Sequence, residues 1–212
     1  QGILDLMKEG LILEPLAELY KDEVRELGEE LGIPHELVWR HPFPGPGLGV
    51  RLLCSEGQPM GKATSEIEGL SSFLEENSWQ GEALPIQSVG VQGDARSYAQ
   101  PFILCGEYDW EECERASTQI TNRFRDLNRV VLEVGKREGI YSVYEQYCTR
   151  DRFDFLRKMD AICTDFLHEH QLYDQIWQMP VVLLPLKVAG APVLVMRPVN
   201  SSEAMTANFA EI

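Results

Sequence analysis

The sequence predicts an α+β fold in which a duplicated helix-plus-sheet unit follows a helical segment. Stretches with an apolar residue every three or four positions predict helices, and the short runs rich in Val, Ile and Leu between them predict strands. Residues 84–90 align without a gap with residues 184–190, which indicates the duplication. Between the helical segment and the repeats, residues 40–48 alternate three prolines with two glycines.

The predicted helices are amphipathic. In residues 14–31, one face is formed by Leu16, Tyr20, Val24, Leu27 and Leu31. Pro15 suits the first turn of that helix, and Gly32 and Pro34 end it. In the longest predicted helix, residues 151–170, we expect the buried side to be formed by Phe155, Met159, Ile162, Cys163 and Phe166. Further helices are predicted over residues 2–9, 34–39, 65–77 and 109–126.

The predicted strands are short. They cover residues 50–54, 84–91, 98–105, 128–134, 181–188 and 193–199, and a brief apolar run at residues 11–13 is a further candidate. Gly90 and Gly93 predict a tight turn after residues 84–91. Residues 189–192 predict a hairpin turn between the last two strands.

The agreement between the two copies extends beyond the seven aligned residues. Trp79-Gln80 corresponds to Trp177-Gln178 upstream, and Arg96 corresponds to Arg197 downstream after small changes in length. A chance match of one short segment is the alternative. If the duplication is real, the second copy lacks the final helix and strand of the first, which would leave a sheet edge and an apolar face uncovered. We therefore expect the natural chain to continue.

Residues 40–48 predict a stiff loop, because each proline fixes φ, lacks an N–H and restricts the residue before it. His41 and Phe43 would be held where a stacking or hydrogen-bonding partner could reach them. We interpret the loop as the boundary between two modules. With the repeat, this divides the chain into domains at residues 1–40, 41–150 and 151–212, the last of them incomplete.

The composition argues against several classes of protein. Thirty-four acidic residues against nineteen Lys and Arg give a net charge of −15, which disfavours nucleic acid and anionic membranes but not a small anionic ligand. No membrane-spanning run and no signal-peptide pattern occur, so we expect a cytosolic protein. The five cysteines include no Cys-x-x-Cys pair. We therefore expect buried free thiols and no metal site.

Several strings, in the same order along the chain, resemble GMP synthase. They are LEPL at residues 13–16, KDEVR at 21–25, HPFPGPGL at 41–48, VGVQGDARSY at 89–98, NRVV at 128–131 and IWQMP at 176–180. Ser202, Met205, Thr206 and Ala207 are similar to the SDFMTA segment of the family, here with Glu-Ala in place of Asp-Phe. The resemblance covers nearly the whole chain. The two copies resemble the dimerisation domain of the longer, eukaryote-type form.

The resemblance implies a fold and an activity. GMP synthase is a carbon–nitrogen ligase that aminates XMP to GMP, using ATP and ammonia released from glutamine. A glutamine amidotransferase domain makes the ammonia, and an α/β ATP-pyrophosphatase domain activates XMP with ATP and Mg²⁺. A C-terminal domain supplies part of the XMP site and, in many members, the dimer contact. The chain would hold the helical tail of the ATP-pyrophosphatase domain and most of the C-terminal domain.

The chain departs from the whole enzyme in ways that bear on activity. It has no Ser-Gly-Gly-Val-Asp-Ser phosphate loop, no amidotransferase set and no Lys-Pro-Pro-x-Thr-x-Glu-Trp-Glu ending. We therefore expect this portion to carry no catalytic residue, to bind no ATP or Mg²⁺ alone and to make no GMP alone. Its expected partners are XMP, the remaining GMP synthase domains and a second copy in a homodimer.

The residues that would contact XMP follow from the same resemblance. They are Asp94, Arg96 and Gln178, whose carboxylate, guanidinium and amide suit ribose, phosphate and a purine edge. Without the family, Asp94 would be interpreted as a turn residue, Arg96 as half of a surface ion pair and Gln178 as a helix cap. A possible substrate loop is formed by His41, Phe43, Pro44 and Gly45, with a rigid linker as the alternative.

Two other functions stay open. The chain could be a structural dimerisation module whose ligand contacts are vestigial. It could also be an acidic adaptor that derives from the enzyme and binds other proteins.

Overall fold

A computed structural model describes residues 2–43, 45, 47–92, 95–135, 138–201 and 208–211. The chain divides into two compact units, Gln1–Pro42 and Phe43–Ile212. The boundary between the units falls inside the proline-rich loop. None of the helices in the described ranges is long and apolar enough to cross a membrane.

Unit 1 contains three helices: α1 (Ile3–Lys8), α2 (Lys21–Glu30) and α3 (His35–Val38). Glu29 ties α2 to α3, because its Oε1 accepts hydrogen bonds from Trp39 Nε1 at 2.7 Å and lies 2.6 Å from His35 Nδ1. These two bonds lower the pKa of the Glu29 carboxyl. Gly28 is buried beside Val38, where an added Cβ would lie 3.3 Å from a methyl group of that valine.

Two expectations for unit 1 are wrong. The helix expected from residue 14 begins at Lys21, because the Glu23 side chain accepts a hydrogen bond from the Tyr20 N–H at 2.7 Å and fixes the start there. Residues 11–13 form no strand, since no strand of the described part of unit 1 is available to pair with them. Several apolar side chains consequently stay exposed, among them Leu13, Tyr20 and Leu31.

Unit 2 combines helices with short strands, so the α+β class is confirmed. Its helices are α4 (Leu70–Glu76), α5 (Trp110–Arg123) and α6 (Arg150–Glu169). Its strands are β1 (Ser55–Glu56), β2 (Gly81–Ala83), β3 (Ser88–Gln92), β4 (Ala95–Leu104), β5 (Leu127–Leu132), β6 (Ser142–Val143), β7 (Glu145–Gln146), β8 (Val181–Val188), β9 (Ala191–Met196), β10 (Val199–Asn200) and β11 (Asn208–Phe209).

The first sheet is organised around β4. The first half of β4 pairs antiparallel with β3, whereas its second half pairs antiparallel with β2 and parallel with β5. The register shifts between Gln100 and Pro101, where the pairing changes from one half to the other. Helices α4 and α5 cover this sheet through a cluster that includes Leu70, Phe102 and Ile120.

The second sheet has the order β6-β8-β9. The hairpin between β8 and β9 was predicted and is confirmed. Ala189 and Gly190 take φ values of 48° and 82°, which is typical of a two-residue turn with both central residues in the left-handed region. Helix α6 packs near this sheet through Leu156, which lies in one cluster with Val181 and Leu183.

The two aligned segments meet in one apolar cluster. Leu84 and Ile86 from the first segment and Leu184 and Leu186 from the second pack together with Ile103. Their backbone conformations differ, however. Residues 84–87 precede β3 outside any strand, whereas residues 184–188 lie within β8. The sequence match therefore corresponds to a shared core but not to two equivalent local structures.

Three further expectations need correction. Residues 50–54 form no strand: Gly47–Arg51 is a 3-10 helix, and only an isolated bridge from Leu52 to Leu183 follows. The strand expected from residue 84 begins at Ser88, because Leu84 donates to the Pro101 carbonyl and the chain turns there. Gly90 lies within β3 rather than at a turn, and Gly93 lies outside the described residues.

The buried side of α6 also differs from the expected one. Ile162 and Phe166 are 54% and 49% exposed, whereas Leu156 and Leu167 are fully buried. Leu156 packs against β8 and Leu167 packs against Ile176. The two ends of α6 thus pack against different parts of unit 2. The buried residues therefore do not follow the single apolar face that the sequence predicts.

Arg51 and Asp160 provide a test of this packing. The Arg51 side chain is 9% exposed and donates to Asp160 at 2.8 Å. Replacing Asp160 with Asn should lower the free energy of unfolding by about 2 kcal/mol, because Arg51 would keep a largely buried charge without an anionic partner. Urea denaturation of the 212-residue chain measures the change.

Asp154 on the same helix offers a matched control. Its partners Arg150 and Arg157 are exposed, so Asp154→Asn should cost less than about 1 kcal/mol. Equal losses for the two variants would show that the Arg51 pair does not support the contact between α6 and the 3-10 helix.

Candidate functional site

A cavity of about 560 Å³ lies in unit 2 and is lined by residues of both sheets. Its walls are largely apolar, with Leu84, Ile86, Val131, Val182, Leu184 and Val195 among the lining residues. Two arginines, Arg129 and Arg197, also line it. A concave apolar site with a small number of polar groups is typical of small-molecule binding.

Arg129 lies in β5 and is held by the adjacent strand β3. Its terminal nitrogen Nη2 donates to the Val89 carbonyl. Its Nε is buried and has no hydrogen-bond partner among the described residues. Burial lowers the pKa of Arg129 to about 10, and the nearby charge of Arg197 adds to this effect. The guanidinium is therefore charged at neutral pH while it lacks part of its normal solvation.

A pair of side-chain hydrogen bonds fixes β3 beside β5. Ser88 Oγ donates to Asn128 Oδ1 at 2.8 Å, and Asn128 Nδ2 donates to the Ser88 carbonyl at 2.6 Å. Because Ser88 precedes Val89 and Asn128 precedes Arg129, this clamp places the Val89 carbonyl within reach of the guanidinium. Asn128, the residue directly before Arg129, thus helps to position the Arg129 side chain.

Arg197 directly follows β9. Its backbone N–H donates to the Pro180 carbonyl at 3.1 Å. Its side chain forms no hydrogen bond or ion pair with any of the residues that the structure describes, and much of the residue is exposed. The surrounding protein still desolvates the guanidinium enough to lower its pKa.

Gln178, which is predicted to contact XMP, pairs with the backbone segment that follows Arg197. Gln178 and Val199 exchange both backbone hydrogen bonds, at 3.2 and 2.9 Å. Val199 is two residues after Arg197, which lines the cavity. The segment with Gln178 therefore runs antiparallel to the segment with Arg197. Gln178 is half-buried. It ends no α-helix, which removes the helix-cap alternative.

The other two predicted XMP residues are described less fully. Arg96 lies in β4 opposite Val91, and the structure describes its backbone alone. Asp94 lies outside the described residues. Two positions along β4 from Arg96, Tyr98 pairs with Val89, the residue that lines the cavity and binds Arg129.

The predicted substrate loop is divided between the two units. His41 belongs to unit 1 and is half-buried, whereas Phe43 and Gly45 belong to unit 2. The Phe43 ring lies 4.3 Å from the Arg51 guanidinium in a cation–π arrangement and is 51% exposed. Pro44 lies outside the described residues. The Phe43 ring therefore contacts Arg51 while about half of it stays exposed, and contact of this loop with a ligand stays a prediction.

The cysteines are less buried than expected. Cys54 and Cys148 are exposed, and their sulfur atoms are 3.6 Å apart. Within the described ranges, no group of three His, Cys, Asp or Glu side chains could hold a metal ion.

Sequence reasoning assigned no role to Arg129 or Arg197. Arg197 aligns with Arg96 in the repeat, and Arg129 belongs to the NRVV string. The signal that could have singled out Arg129 is its charge within an otherwise apolar strand, Val130-Val131-Leu132 following directly. Nothing local in the sequence indicates that the two arginines share a cavity.

No family model matches the chain. A protein of Leptospira interrogans, described as a probable glutamine-hydrolyzing GMP synthase, is 43% identical over 214 residues. That match covers 99% of this chain and 35% of the relative. The chain is homologous to GMP synthase. The glutamine-hydrolyzing GMP synthase of Clostridium botulinum strain Hall is also 43% identical, over 143 residues that cover 58% of this chain and 28% of the relative.

The homology to GMP synthase extends over nearly the whole chain, but the chain spans only about a third of the length of the Leptospira relative. Both of these relatives are bacterial. The match includes the strings that carry Asp94, Arg96 and Gln178, because it leaves out almost none of the chain.

The Cys54–Cys148 pair gives a test of the local electrostatics. The pKa of the Cys54 thiol is raised above its ordinary value, first by burial of the sulfur and then by the hydrogen bond and charge of Cys148. The rate of Cys54 alkylation by iodoacetamide should therefore rise with pH to a midpoint above that of an unperturbed cysteine thiol. Peptide mass spectrometry over a pH series gives the midpoint.

The variant Cys148→Ser removes the thiol that interacts with Cys54. It should bring the midpoint down without restoring it fully, because burial is the larger cause. A midpoint in the unaltered chain at or below that of an unperturbed cysteine thiol would contradict the described environment of Cys54.

Proposed function

We propose that this chain is the part of a GMP synthase that contributes to XMP recognition and to contacts between domains and subunits. The observation that carries the proposal is 43% identity to a probable GMP synthase over 99% of the chain. In the complete protein, XMP would be aminated to GMP with ATP and glutamine-derived ammonia. This portion would supply binding groups and no catalytic residue.

The geometry around the cavity supports an XMP-binding role. Gln178 pairs with Val199, just after Arg197, and Arg96 lies on the strand that pairs with Val89. The segments that carry Gln178 and Arg96 are therefore joined by backbone hydrogen bonds to segments whose residues line the cavity. Two positions that are distant in sequence, and that the family resemblance selects, are thus connected to the same part of unit 2.

Each predicted residue has a distinct chemical task. The Arg96 guanidinium would present a planar pair of donors to a phosphate or carbonyl. The Gln178 amide would donate to one atom and accept from another on the purine edge. The Asp94 carboxylate would accept hydrogen bonds from the hydroxyls of the ribose or an N–H of the base. ATP and Mg²⁺ would be bound by the rest of the enzyme.

The remaining parts of the proposal concern assembly. Residues 1–40 would complete the ATP-pyrophosphatase domain, and residues 41–150 and 151–212 would be the two dimerisation subdomains of the longer, eukaryote-type form. Exposed apolar side chains of unit 1, such as Leu13 and Leu31, suit packing against a further domain. The amidotransferase domain, a homodimer partner and a cytosolic location belong to the same proposal.

Substitution of the XMP residues in the complete gene product tests the proposal. Gln178→Ala should raise the KM for XMP roughly threefold to tenfold, and Arg96→Ala about tenfold or more, because charged hydrogen bonds contribute more than neutral ones. Glutamine hydrolysis should be unchanged. Steady-state kinetics with XMP as the varied substrate, beside a separate glutaminase assay, measures both quantities.

Gln175→Ala and Arg125→Ala are matched controls, because both side chains are exposed and lie outside the cavity lining. They should leave the KM for XMP unchanged. If Gln178→Ala and Arg96→Ala also leave it unchanged while the protein stays folded, the binding role is wrong and a structural dimerisation or adaptor role takes its place.

A further inference from the structure

Cys54 and Cys148 bring two accessible thiols together from distant parts of unit 2. Their sulfur atoms are 3.6 Å apart, although 94 positions separate the two residues in the sequence. Both cysteines are free thiols and both are exposed. The other three cysteines, Cys105, Cys113 and Cys163, are half-buried. The proposed role in XMP recognition gives no reason for an exposed thiol pair.

A short strand pairing places the two cysteines side by side. Strand β1 pairs antiparallel with β7, and Ser55 lies opposite Gln146. Cys54 directly precedes β1, and Cys148 lies two residues after β7, so both cysteines are at the same end of this pairing. The closeness of the two sulfur atoms therefore follows from the pairing of the backbone segments that carry them.

Arg152, in the first turn of α6, holds the same two segments together. Its Nη2 donates to the Leu53 carbonyl at 2.9 Å, and its Nη1 donates to the Tyr147 carbonyl at 3.1 Å. These carbonyls belong to the residues directly before Cys54 and Cys148. One guanidinium therefore fixes the backbone beside both thiols, which reduces the conformational freedom that a covalent bond between them would remove.

The geometry and the chemistry of the two thiols suit a slow reaction. A disulfide needs about 2.0 Å between its sulfur atoms, so side-chain rotations have to close a gap of about 1.6 Å. Burial and then the contact with Cys148 raise the pKa of the Cys54 thiol, whereas the charge of Arg152 acts in the opposite direction. A raised pKa lowers the fraction of reactive thiolate at neutral pH and slows the reaction.

We propose that Cys54 and Cys148 are a redox modification site that forms an intramolecular disulfide, with a small disulfide such as oxidised glutathione as the oxidant. The thiolate of one cysteine attacks the oxidant, forms a mixed disulfide and releases one glutathione thiolate. The second cysteine thiolate attacks the protein sulfur of the mixed disulfide and releases the second glutathione. Two electrons and two protons pass from the cysteines to the oxidant, which becomes two molecules of reduced glutathione.

The bond would join the start of β1 to the start of α6, because Cys148 directly precedes Thr149, the N-cap of that helix. An exposed disulfide of this kind is readily reduced, which is typical of a reversible modification rather than of a structural bond. Of the described residues that line the cavity, none is a cysteine. The modification site and the proposed XMP contacts can therefore fail or succeed separately.

Peptide mapping of the complete gene product tests the site without any substitution. The protein is equilibrated for hours in buffers of graded ratios of oxidised to reduced glutathione, quenched with N-ethylmaleimide, digested and measured by mass spectrometry. In the most oxidising buffer, most molecules should yield a peptide in which Cys54 is cross-linked to Cys148. Excess reduced glutathione should return both to free thiols. Cys113, which is half-buried, should appear in no cross-linked peptide.

Two arginine variants test whether the fold positions the pair. Arg152→Met removes the hydrogen bonds to both cysteine-bearing segments. At a fixed glutathione ratio, it should lower the ratio of cross-linked to reduced pairs by about threefold to tenfold, because hydrogen bonds from a charged group contribute measurably to such an equilibrium. Arg150→Met is the matched control, since Arg150 is exposed and its side chain pairs with Asp154. It should leave the ratio unchanged.

The proposal is overturned if oxidising buffers give no peptide that joins Cys54 to Cys148 in the unaltered protein. It is also overturned if each of the two cysteines carries its own glutathione, or is cross-linked to other cysteines more often than to its neighbour. In Cys148→Ser, Cys54 should stop at the mixed disulfide with glutathione, because the second thiol is missing. A cross-link from Cys54 to another cysteine in that variant would contradict the pairing.

Discussion

The apolar contact between the two sheets is the interaction on which the rest of unit 2 depends. Leu84 and Ile86 meet Leu184 and Leu186 across Ile103. Burial of each such side chain stabilises the fold by about 2 kcal/mol, so the cluster is comparable to the net stability of a typical domain. The cavity begins at the edge of this cluster, because Leu84, Ile86 and Leu184 also line its walls.

Because the same residues form the core cluster and the cavity wall, Arg129 and Arg197 lie next to a hydrophobic core. The same contact that buries the leucines brings β5 and the end of β9 to one cavity, and with them Arg129 and Arg197. The Ser88–Asn128 clamp then fixes one guanidinium, while the Pro180 carbonyl fixes the backbone of the other. Stability and the candidate site thus arise from the same packing.

Elements whose ends are set by local contacts could be predicted from the sequence. Helix α5 begins after Asp109, whose side chain accepts from the Glu112 N–H at 2.8 Å, and α6 begins after Thr149 in the same way. The turn at Ala189 and Gly190 is equally local. Residues 50–54 and 84–87 were mispredicted because their conformations depend on Leu183 and Pro101, which are distant in sequence.

The same distinction applies to the site. Gln178 could be selected because the IWQMP string resembles a known family, not because the sequence shows where Gln178 lies. The Arg129–Arg197 pair could not be predicted, since Arg129 lies in β5 and Arg197 follows β9, and only tertiary packing brings both to one cavity. Phe43 contacts Arg51 at a half-exposed position, and its expected contact with a ligand stays a prediction.

A crystal structure of the complete gene product with XMP bound would test most directly whether this part of the chain recognises the nucleotide. The expected result is XMP with the side-chain amide of Gln178 within hydrogen-bond distance of the purine. A fully occupied XMP that touches no residue between Phe43 and Ile212 would contradict the proposed role.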